Sequence, residues 1–194
     1  MTEKREKIIE EILAAAGEKD FPSPAVSRRG KPHTTVDLSR MTADEVARRD
    51  GYFMDIALRL AQAALDAGEV PVGALVVRGD EIISADYNGR ESEKNALYHA
   101  ECAVIEAACR TLGGWRLPGC ELFVTLEPCI MCAGAVISAR VPRVVFGARD
   151  DRAGFFGSAA DARSFGLNHT PTVTSGVREA ECLALLKRFF AKKR

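Results

Sequence analysis

The stretch Leu126–Cys132, with the sequence Leu-Glu-Pro-Cys-Ile-Met-Cys, constrains this chain more than any other. An apolar run precedes it and a run of small residues follows it, which together predict a strand, a tight turn and a helix. Pro128 suits the first helical turn, where its missing N–H would have no helical partner. Cys129 and Cys132 are three residues apart and therefore share one helix face, near a helix N-terminus that favours thiolates, the form that binds metal.

Metal binding needs further donors, and the chain supplies them upstream at His99-Ala100-Glu101. A Cys-x-x-Cys pair alone is also typical of a redox pair or of half a structural zinc site, which four protein ligands close. His99, Cys129 and Cys132 would instead leave one tetrahedral position for water, as in catalytic zinc sites. We therefore expect one catalytic Zn2+. We expect Glu101 to shuttle protons, the alternative being a first-turn acid that only favours the helix dipole.

The length and composition of the chain limit its organisation. Its 194 residues suit one domain with an appendage, and 47% hydrophobic residues are ample for a packed core. We expect an N-terminal helical extension and linker over residues 1–40 and a catalytic domain over residues 41–194. No apolar run approaches the ~20 residues that span a bilayer, and the N-terminal run Thr2–Glu6 is too charged for a signal peptide. We therefore expect a cytoplasmic protein with reduced thiols and no membrane contact.

Four further cysteines and a spare histidine need an interpretation. The cysteines lie in apolar surroundings and are expected to be buried, inert thiols, since free Cys behaves as a small hydrophobe: Cys102, Cys109, Cys120 and Cys182. His169 is expected to form a hydrogen bond within a loop, because a fourth protein ligand would close the zinc site.

The net charge of zero hides a basic C-terminal third. From Arg140 to Arg194 there are 11 Lys and Arg residues against 5 Asp and Glu residues. The tail Lys187–Arg194 interleaves cations with two phenylalanines, a pattern that suits phosphate contact and base stacking. A solvated helix end is the alternative, because cations also favour a helix C-terminus. The shorter basic cluster Arg28–Lys31 fits a solvated linker better than an RNA contact.

Hydrophobic periodicity predicts an alternation of strands and helices. The predicted helices cover residues 2–16, 42–67, 99–111, 129–140 and 178–192, with a short one at 159–164. The predicted strands cover residues 70–77, 81–85, 121–126, 144–147 and 172–174. Thr42 and Glu45 form a capping box at the start of the second helix, and Asp50-Gly51 is expected to interrupt that helix.

The connections between these elements predict the fold class. The first two strands are joined by a short turn through Gly79-Asp80 and should form an antiparallel hairpin. About 25 residues separate the last two strands, which is long enough for a crossover and predicts a parallel pair. The result is an α/β fold with three layers, in which helices cover both faces of one mixed five-stranded sheet.

The combination of His-x-Glu and Pro-Cys-x-x-Cys is the signature of the zinc deaminases, and residues 50–194 resemble the bacterial tRNA-specific adenosine deaminases within that superfamily. The segments that carry the resemblance are Glu69–Ala74, Tyr87-Asn88, His99–Glu101, Val124–Cys129, Met131–Ala135, Val144–Asp150, Glu181-Cys182, Leu185-Leu186 and Phe189-Phe190. The zinc signature is shared by the whole superfamily, whereas Val144–Asp150 and the Phe-Phe tail are typical of the tRNA enzymes. Residues 1–40 lie outside the resemblance.

The resemblance implies a cytidine deaminase-like fold and the conversion of adenosine to inosine at the wobble position of a tRNA anticodon. It implies a homodimer with one zinc per subunit, bound to the anticodon stem-loop with the target base turned into the pocket. By position, the zinc ligands would again be His99, Cys129 and Cys132, and Glu101 would shuttle protons. The substrate contacts that it implies are Asn88, Ala100, Asp150, Lys193 and Arg194. An amide can pair with adenine, although Asn88 before Gly89 is also a common turn.

One departure affects the substrate. Many members of the family carry a small residue directly before the zinc histidine, whereas this chain has Tyr98, which is expected to narrow the pocket or alter base stacking. Two other functions remain open: a deaminase of free bases or nucleosides, of guanine or cytosine type, and a zinc-bearing RNA-binding protein without turnover. The basic C-terminal third favours a tRNA substrate over a small one, and Glu101 argues against the protein without turnover.

Overall fold

A computed structural model describes residues 2–16 and 37–192 of the chain. The helices are α1 (Glu3–Ala16), α2 (Ala43–Asp66), α3 (Ala100–Leu112), α4 (Ile130–Ser138) and α5 (Glu179–Lys192). The strands are β1 (Gly73–Arg78), β2 (Glu81–Tyr87), β3 (Cys120–Leu126), β4 (Arg143–Ala148) and β5 (Thr172–Ser175). Two short 3₁₀ helices cover Leu38–Arg40 and Ala162–Phe165. None of the described helices is long and apolar enough to cross a membrane.

The five strands form one mixed sheet in the order β2-β1-β3-β4-β5. Strand β1 is antiparallel to both β2 and β3, whereas β3, β4 and β5 are parallel to one another. The predicted hairpin and the predicted parallel pair of β4 and β5 are therefore confirmed. The strand β3 joins the antiparallel and parallel halves of the sheet.

Alternate residues of the central strands supply two separate cores, as the period of two in a strand requires. Val76 and Leu122 pack with α3 and α4 on one face. Leu75 and Phe123 pack with α1, α2 and α5 on the other. Helices thus cover both faces, and the predicted three-layer α/β/α arrangement is confirmed.

Helix α2 begins where its capping box predicts, but it does not pause. The Thr42 hydroxyl accepts from the Glu45 N–H, and the Glu45 carboxylate accepts from the Thr42 N–H at 2.7 Å. The predicted interruption at Asp50-Gly51 is wrong, since the helix is continuous from Ala43 to Asp66. A glycine costs a helix only about 1 kcal/mol. The complete burial of Phe53 on the next turn offsets that cost.

Some predicted boundaries shift for local reasons. Strand β1 starts at Gly73 and not at residue 70, because Pro71 has no N–H for a ladder and Val72 donates back to the Val70 carbonyl. Helix α4 ends before Arg140, which has a left-handed φ of 59°. The short helix expected at 159–164 is the 3₁₀ turn Ala162–Phe165, capped by the Asp161 carboxylate.

Helix α1 packs on α2, on the side of the sheet opposite α3 and α4. Ile9 and Ala16 are buried there, and the Tyr52 hydroxyl donates to the Ala16 carbonyl at 3.1 Å. The expected linker after α1, including the basic cluster Arg28–Lys31, lies outside the described residues. The predicted domain boundary at residue 40 stays a prediction.

Candidate active site

The chemistry-bearing residues gather at the edge of the sheet where β2, β3 and β4 end and β1 begins. Asn88 follows β2, Glu127 follows β3 and Asp150 lies two residues beyond β4. These side chains border a cavity of about 200 Å³, with Val72 and Leu126 among its apolar walls. Its polar walls also include Arg90, His99, Glu101 and Cys129.

Two helices begin at this cavity with unusual N-caps. His99 is the N-cap of α3 and Cys129 is the N-cap of α4, and neither side chain caps its own helix. An N-cap usually satisfies a free N–H with a side-chain oxygen. Here His99 and Cys129 instead direct their side chains toward each other, and Cys132 joins them from the first turn of α4.

The donor atoms of these three residues fit a zinc ion. The His99 Nδ1 lies 3.7 Å from the Cys129 Sγ and 3.6 Å from the Cys132 Sγ. Tetrahedral zinc with ordinary Zn–N and Zn–S bonds requires N–S separations of about 3.6 Å. All three donor atoms lie within 4.8 Å of one another, and within the described residues no fourth His, Cys, Asp or Glu joins the group. An imidazole and two thiolates, without a fourth ligand, are the donor set of a catalytic zinc site.

The titratable groups of the site have pKa values shifted in different directions, and of the three donor residues only Cys129 is shifted toward the form that binds metal. The hydrogen bond to Cys132 is the main reason that the pKa of the Cys129 thiol falls to about 3. The hydrogen bond to Cys129 raises the pKa of His99. Burial raises the pKa of Glu101, whose side chain borders the cavity two residues after His99. The thiolate, the imidazole and the carboxyl group are therefore mutually dependent in their proton occupancy.

The spare histidine and most other cysteines lie away from this group. His169 donates from Nε2 to the Val141 carbonyl at 2.8 Å, in agreement with the predicted loop hydrogen bond. Burial raises the pKa of Cys120 to about 11 and that of Cys182 to about 12, as expected of inert thiols. Cys102 and Cys109 differ from the prediction, because both are half-buried, and the Cys102 Sγ lies 3.8 Å from the Cys132 Sγ.

Asn88 is more than a turn residue. It is buried at the cavity wall, and its Nδ2 donates to the Glu69 Oε2 at 3.1 Å. The Glu69 carboxylate also accepts the N–H groups of Glu91 and Ser92 at 3.2 and 2.7 Å. Glu69 thus holds the loop after β2 and fixes the Asn88 amide. The sequence interpretation missed this residue, although Glu69 opens one of the segments that carry the family resemblance.

Glu127 has the same function on the other side of the cavity and was also missed. Its buried carboxylate accepts from the N–H groups of Asp150, Phe156 and Ser158 at 3.2, 2.9 and 3.1 Å, and from the Ser158 hydroxyl. The Asp150 carboxylate in turn accepts the N–H groups two and three residues onward. A glutamate directly before the zinc-ligand motif was the available signal. Glu127 therefore shapes the loop that presents Asp150.

The remaining predicted site residues have mixed outcomes. Ala100 is fully buried as the first residue of α3, beside the His99 ligand position. Lys193 and Arg194 lie outside the described residues. Tyr98 is not among the residues that line the cavity, and its hydroxyl donates to the Asp86 Oδ2 at 3.1 Å, so its side chain does not narrow the cavity. An effect of Tyr98 on base stacking stays a prediction. A sequence position beside a ligand does not fix the direction of a side chain.

Comparison with known proteins identifies the family. Residues 47–148 match the family model of the cytidine and deoxycytidylate deaminase zinc-binding region. The tRNA-specific adenosine deaminase of Bacillus subtilis is 46% identical over 147 residues, which cover 75% of this chain and 91% of the relative. The tRNA-specific adenosine deaminase of Agrobacterium fabrum is 42% identical over 146 residues, which cover 74% of this chain and 95% of the relative.

Solved structures agree. A structure from a study of A-to-I editing by tRNA:A34 deaminases at the wobble position has a TM-score of 0.65 and 40% identity, covering 70% of this chain and 99% of its own. A guanine deaminase from Nitrosomonas europaea has a TM-score of 0.61 and 25% identity, covering 92% of each chain. The zinc-binding donor set, the sheet and these likenesses together establish that the chain belongs to the tRNA-specific adenosine deaminase family of zinc-dependent deaminases.

Proposed function

We propose that this protein deaminates adenosine to inosine at the wobble position of a tRNA anticodon. The observation that carries the proposal is the meeting of one imidazole and two thiols beside a buried carboxyl group in a small cavity. The names of its relatives supply the substrate, because the curated relatives are tRNA-specific adenosine deaminases.

In this proposal one zinc per subunit would be held by the Nδ1 of His99 and the Sγ atoms of Cys129 and Cys132. Zinc bound there supplies a Lewis acid that makes water a nucleophile near neutral pH. The helices α3 and α4 support the site because both begin at it, and helix N-termini stabilise thiolates.

Glu101 is the proposed proton carrier. Its carboxylate takes a proton from the attacking water and delivers it to the adjacent ring nitrogen of adenine. The carboxyl group then moves the second proton of that water to the departing amino group, so that ammonia leaves and the carbonyl of inosine remains. Water and adenosine are consumed and ammonia and inosine are formed, which balances the reaction. The position of Glu101 in the first turn of α3, buried at the cavity wall, supports this role.

The proposed substrate contacts surround that position. Asn88 would pair with the base or its sugar, since an amide can both donate and accept. Ala100 would lie against the base, and Asp150 would contact the ribose or the backbone. Arg90 adds a cation at the cavity wall that the sequence interpretation did not single out. A phosphate of the anticodon loop is its natural partner.

The end of α5 suits the tRNA backbone. Lys187, Arg188 and Lys192 are exposed on this helix, and Phe190 is 55% exposed beside them. Exposed cations neutralise phosphates and an exposed ring can stack on a base. Lys193 and Arg194, which the resemblance also assigns to phosphate contact, follow directly in the sequence. A tRNA substrate also implies a cytoplasmic enzyme.

The proposed assembly is a homodimer. Two large apolar side chains, Leu97 and Ile130, are each 62% exposed, and each lies within two residues of a proposed zinc ligand. Exposed apolar side chains beside a functional site favour association. A dimer that covers them would bring the two cavities near one interface, across which an anticodon loop could bind.

The test is incubation of the zinc-loaded protein with an anticodon stem-loop that carries a wobble adenosine, and separately with adenosine, guanine and cytosine. We expect inosine in the stem-loop and no ammonia from the small molecules. The matched control is the same stem-loop with guanosine at the wobble position. Ammonia from free guanine alone would instead support the guanine deaminase alternative, which the likeness to the Nitrosomonas europaea enzyme motivates. Bound zinc without any product would overturn both.

A further inference from the structure

Helix α1 carries a buried arginine. Its sequence begins with charged residues, and they are exposed except for Arg5, which is only 4% exposed. Arg5 lies four residues before Ile9 and therefore shares the face that packs on the protein. An arginine is almost never fully buried unless it is paired, so its partners indicate what the helix is docked against.

Those partners lie at the end of β2. The Arg5 Nε donates to the Asp86 Oδ1 at 2.8 Å, and Nη2 donates to the Tyr87 carbonyl. The guanidinium carbon also lies 3.7 Å from the centre of the Tyr87 ring, a cation–π distance. One side chain of α1 thus holds the residues directly before Asn88.

The same group reaches the far end of the following loop, residues 88–98, which connects β2 to α3. The second carboxylate oxygen of Asp86 accepts from the Tyr98 hydroxyl, and the Arg5 guanidinium lies 5.1 Å from the Tyr98 ring centre. The Gly89 N–H donates to the Tyr98 carbonyl at 3.2 Å, which joins the two ends of the loop. Tyr98 is followed by His99, so both the Asn88 amide and the His99 imidazole emerge from this junction.

The side chains of Arg5 and Tyr98 pack closely against the backbone of Gly89 at this junction. A Cβ at Gly89 would lie 2.7 Å from the Arg5 Nη1 and 3.0 Å from a Tyr98 ring carbon. Burial raises the pKa of Asp86, and the Arg5 charge opposes that rise. Without Arg5 the Asp86 carboxylate would be buried without this cation, a costly state that a mobile loop would relieve.

We propose that Arg5 is a positioning residue for the deamination site: helix α1 braces the 88–98 loop through Arg5, Asp86 and Tyr98, and thereby sets the Asn88 amide against the tRNA base. The inference deepens the proposed function and rests on it for its kinetic consequence. It assigns a role to helix α1, which lies outside the residues matched by the family model, since that match begins at residue 47.

The test compares Arg5→Gln with Lys7→Gln, which removes an exposed charge from the same helix. We expect Arg5→Gln to raise KM for the wobble-adenosine stem-loop about tenfold, since an ångström of misplacement has effects of that order or more. We expect kcat to change by less than about twofold, because His99 and Glu101 are also held by helix α3, whose Ala103 N–H donates to the His99 carbonyl, and because α4 is untouched. Zinc content should stay at one per chain. Lys7→Gln should match the parent protein.

Two further variants separate positioning from folding. Arg5→Lys keeps the charge for Asp86 but loses the two-pronged contact, so it should recover part of the KM change. Tyr98→Phe removes one hydroxyl from a protein that otherwise retains its packing, and should raise KM about threefold, because a single hydrogen bond makes only a modest net contribution. A lowered melting temperature with unchanged KM in both Arg5→Gln and Tyr98→Phe would make the role merely structural and overturn the inference.

Hydrogen exchange provides a readout that needs no substrate. In Arg5→Gln, peptides covering residues 86–98 should exchange at least about tenfold faster, whereas those covering β3 should not change. Unchanged hydrogen exchange in residues 86–98 would show that Arg5 does not hold this loop and would overturn the inference. If the parent protein leaves the tRNA unmodified, the proposed function fails, and the exchange result alone then decides whether Arg5 holds the loop.

Discussion

Buried charged side chains lie at both ends of the central sheet, but their partners differ. At the end where β3 and β4 begin, Arg143 bridges Asp50 and Glu121 at 2.5 and 2.6 Å, and Arg49 meets Glu121 at 2.7 Å. At the opposite end the carboxylate of Glu127 accepts hydrogen bonds from loop N–H groups and borders a cavity. Charges at the first end satisfy one another, whereas those at the second hold loops.

This difference suggests that the residues at one end contribute to stability and those at the other end to the reaction. The ion pairs at the first end occupy the buried carboxylates of Asp50 and Glu121, and their loss should lower the stability of the fold. At the cavity end, the buried Glu101 side chain lines the cavity, where in the proposed function it exchanges its proton with the substrate. We therefore expect mutations at the two ends to have separable effects.

The largest expected effect is at the cavity end, in Glu101→Gln. An amide cannot carry the proton, so kcat on the wobble-adenosine stem-loop should fall about 10²- to 10⁴-fold. Elemental analysis should still find one zinc per chain, because the three ligands remain. The control is Glu106→Gln, since Glu106 lies on the same helix but at the surface, paired with Arg110. Normal turnover by Glu101→Gln would remove the proton-carrier role, and loss of zinc would make Glu101 part of the metal site.

At the far end, Arg143→Met should lower the free energy of unfolding by about 3 to 5 kcal/mol, because Asp50 loses its cation and Glu121 loses one of two. Urea denaturation measures this change. Under conditions where the variant is folded, its kcat and KM should equal those of the parent. Arg163→Met is the control, because Arg163 pairs with Asp161 in a more exposed position and should matter little. A variant of Arg143 that is stable but catalytically altered would show that the two ends are coupled.

Glu127→Gln should have a smaller effect on catalysis. The amide offers one acceptor and two donors to a set of N–H and O–H groups that all donate, so the loop carrying Asp150 should shift. We expect kcat/KM for the stem-loop to fall about tenfold. Glu121→Gln is the same substitution at the other end and should lower stability without changing KM. Identical kinetic losses in both variants would contradict the separation of the two ends.

The smallest expected effect is in thiol reactivity. Burial raises the pKa of Cys120 to about 11 and of Cys182 to about 12, so at pH 8 both are protonated and unreactive. Iodoacetamide labelling, read by mass spectrometry of peptides, should leave both unmodified at pH 8 and should increase as the pH rises toward 11. Cys129 should be protected in the zinc-loaded protein and labelled after chelation. Rapid labelling of Cys120 at pH 8 would contradict its burial.

Local sequence patterns predict those parts of the molecule that depend on near neighbours. The hairpin, the strand before Glu127 and the helix that begins after Cys129 follow from turn residues, apolar runs and helix periodicity, and each agrees with the structure. The zinc ligands were predictable because metal chemistry restricts residue types and spacing. The continuity of α2 through Gly51 was not, since packing against the sheet outweighs a weak propensity.

The supporting residues were harder to predict because their partners are distant in the sequence. Arg5 and Asp86 are 81 residues apart, and Glu127 and Ser158 are 31 apart. A buried arginine on a charged helix looks like a solvated one until its partner is known. The direction of the Tyr98 side chain was hard to predict for the same reason, because the Asp86 carboxylate that accepts from its hydroxyl lies at the end of another strand.

Most residues that border the cavity lie in connections beyond strand ends, although Leu126 belongs to β3 and Glu101 to α3. Replacement of these connections would leave the hydrogen-bonded sheet intact, much as the antigen-binding loops of antibodies vary on a constant scaffold. A laboratory that wished to redirect the enzyme toward another nucleobase could therefore graft the segments after β2 and β4. The metal-bearing helices and the strands beneath them would be retained, and selection would act on recognition alone.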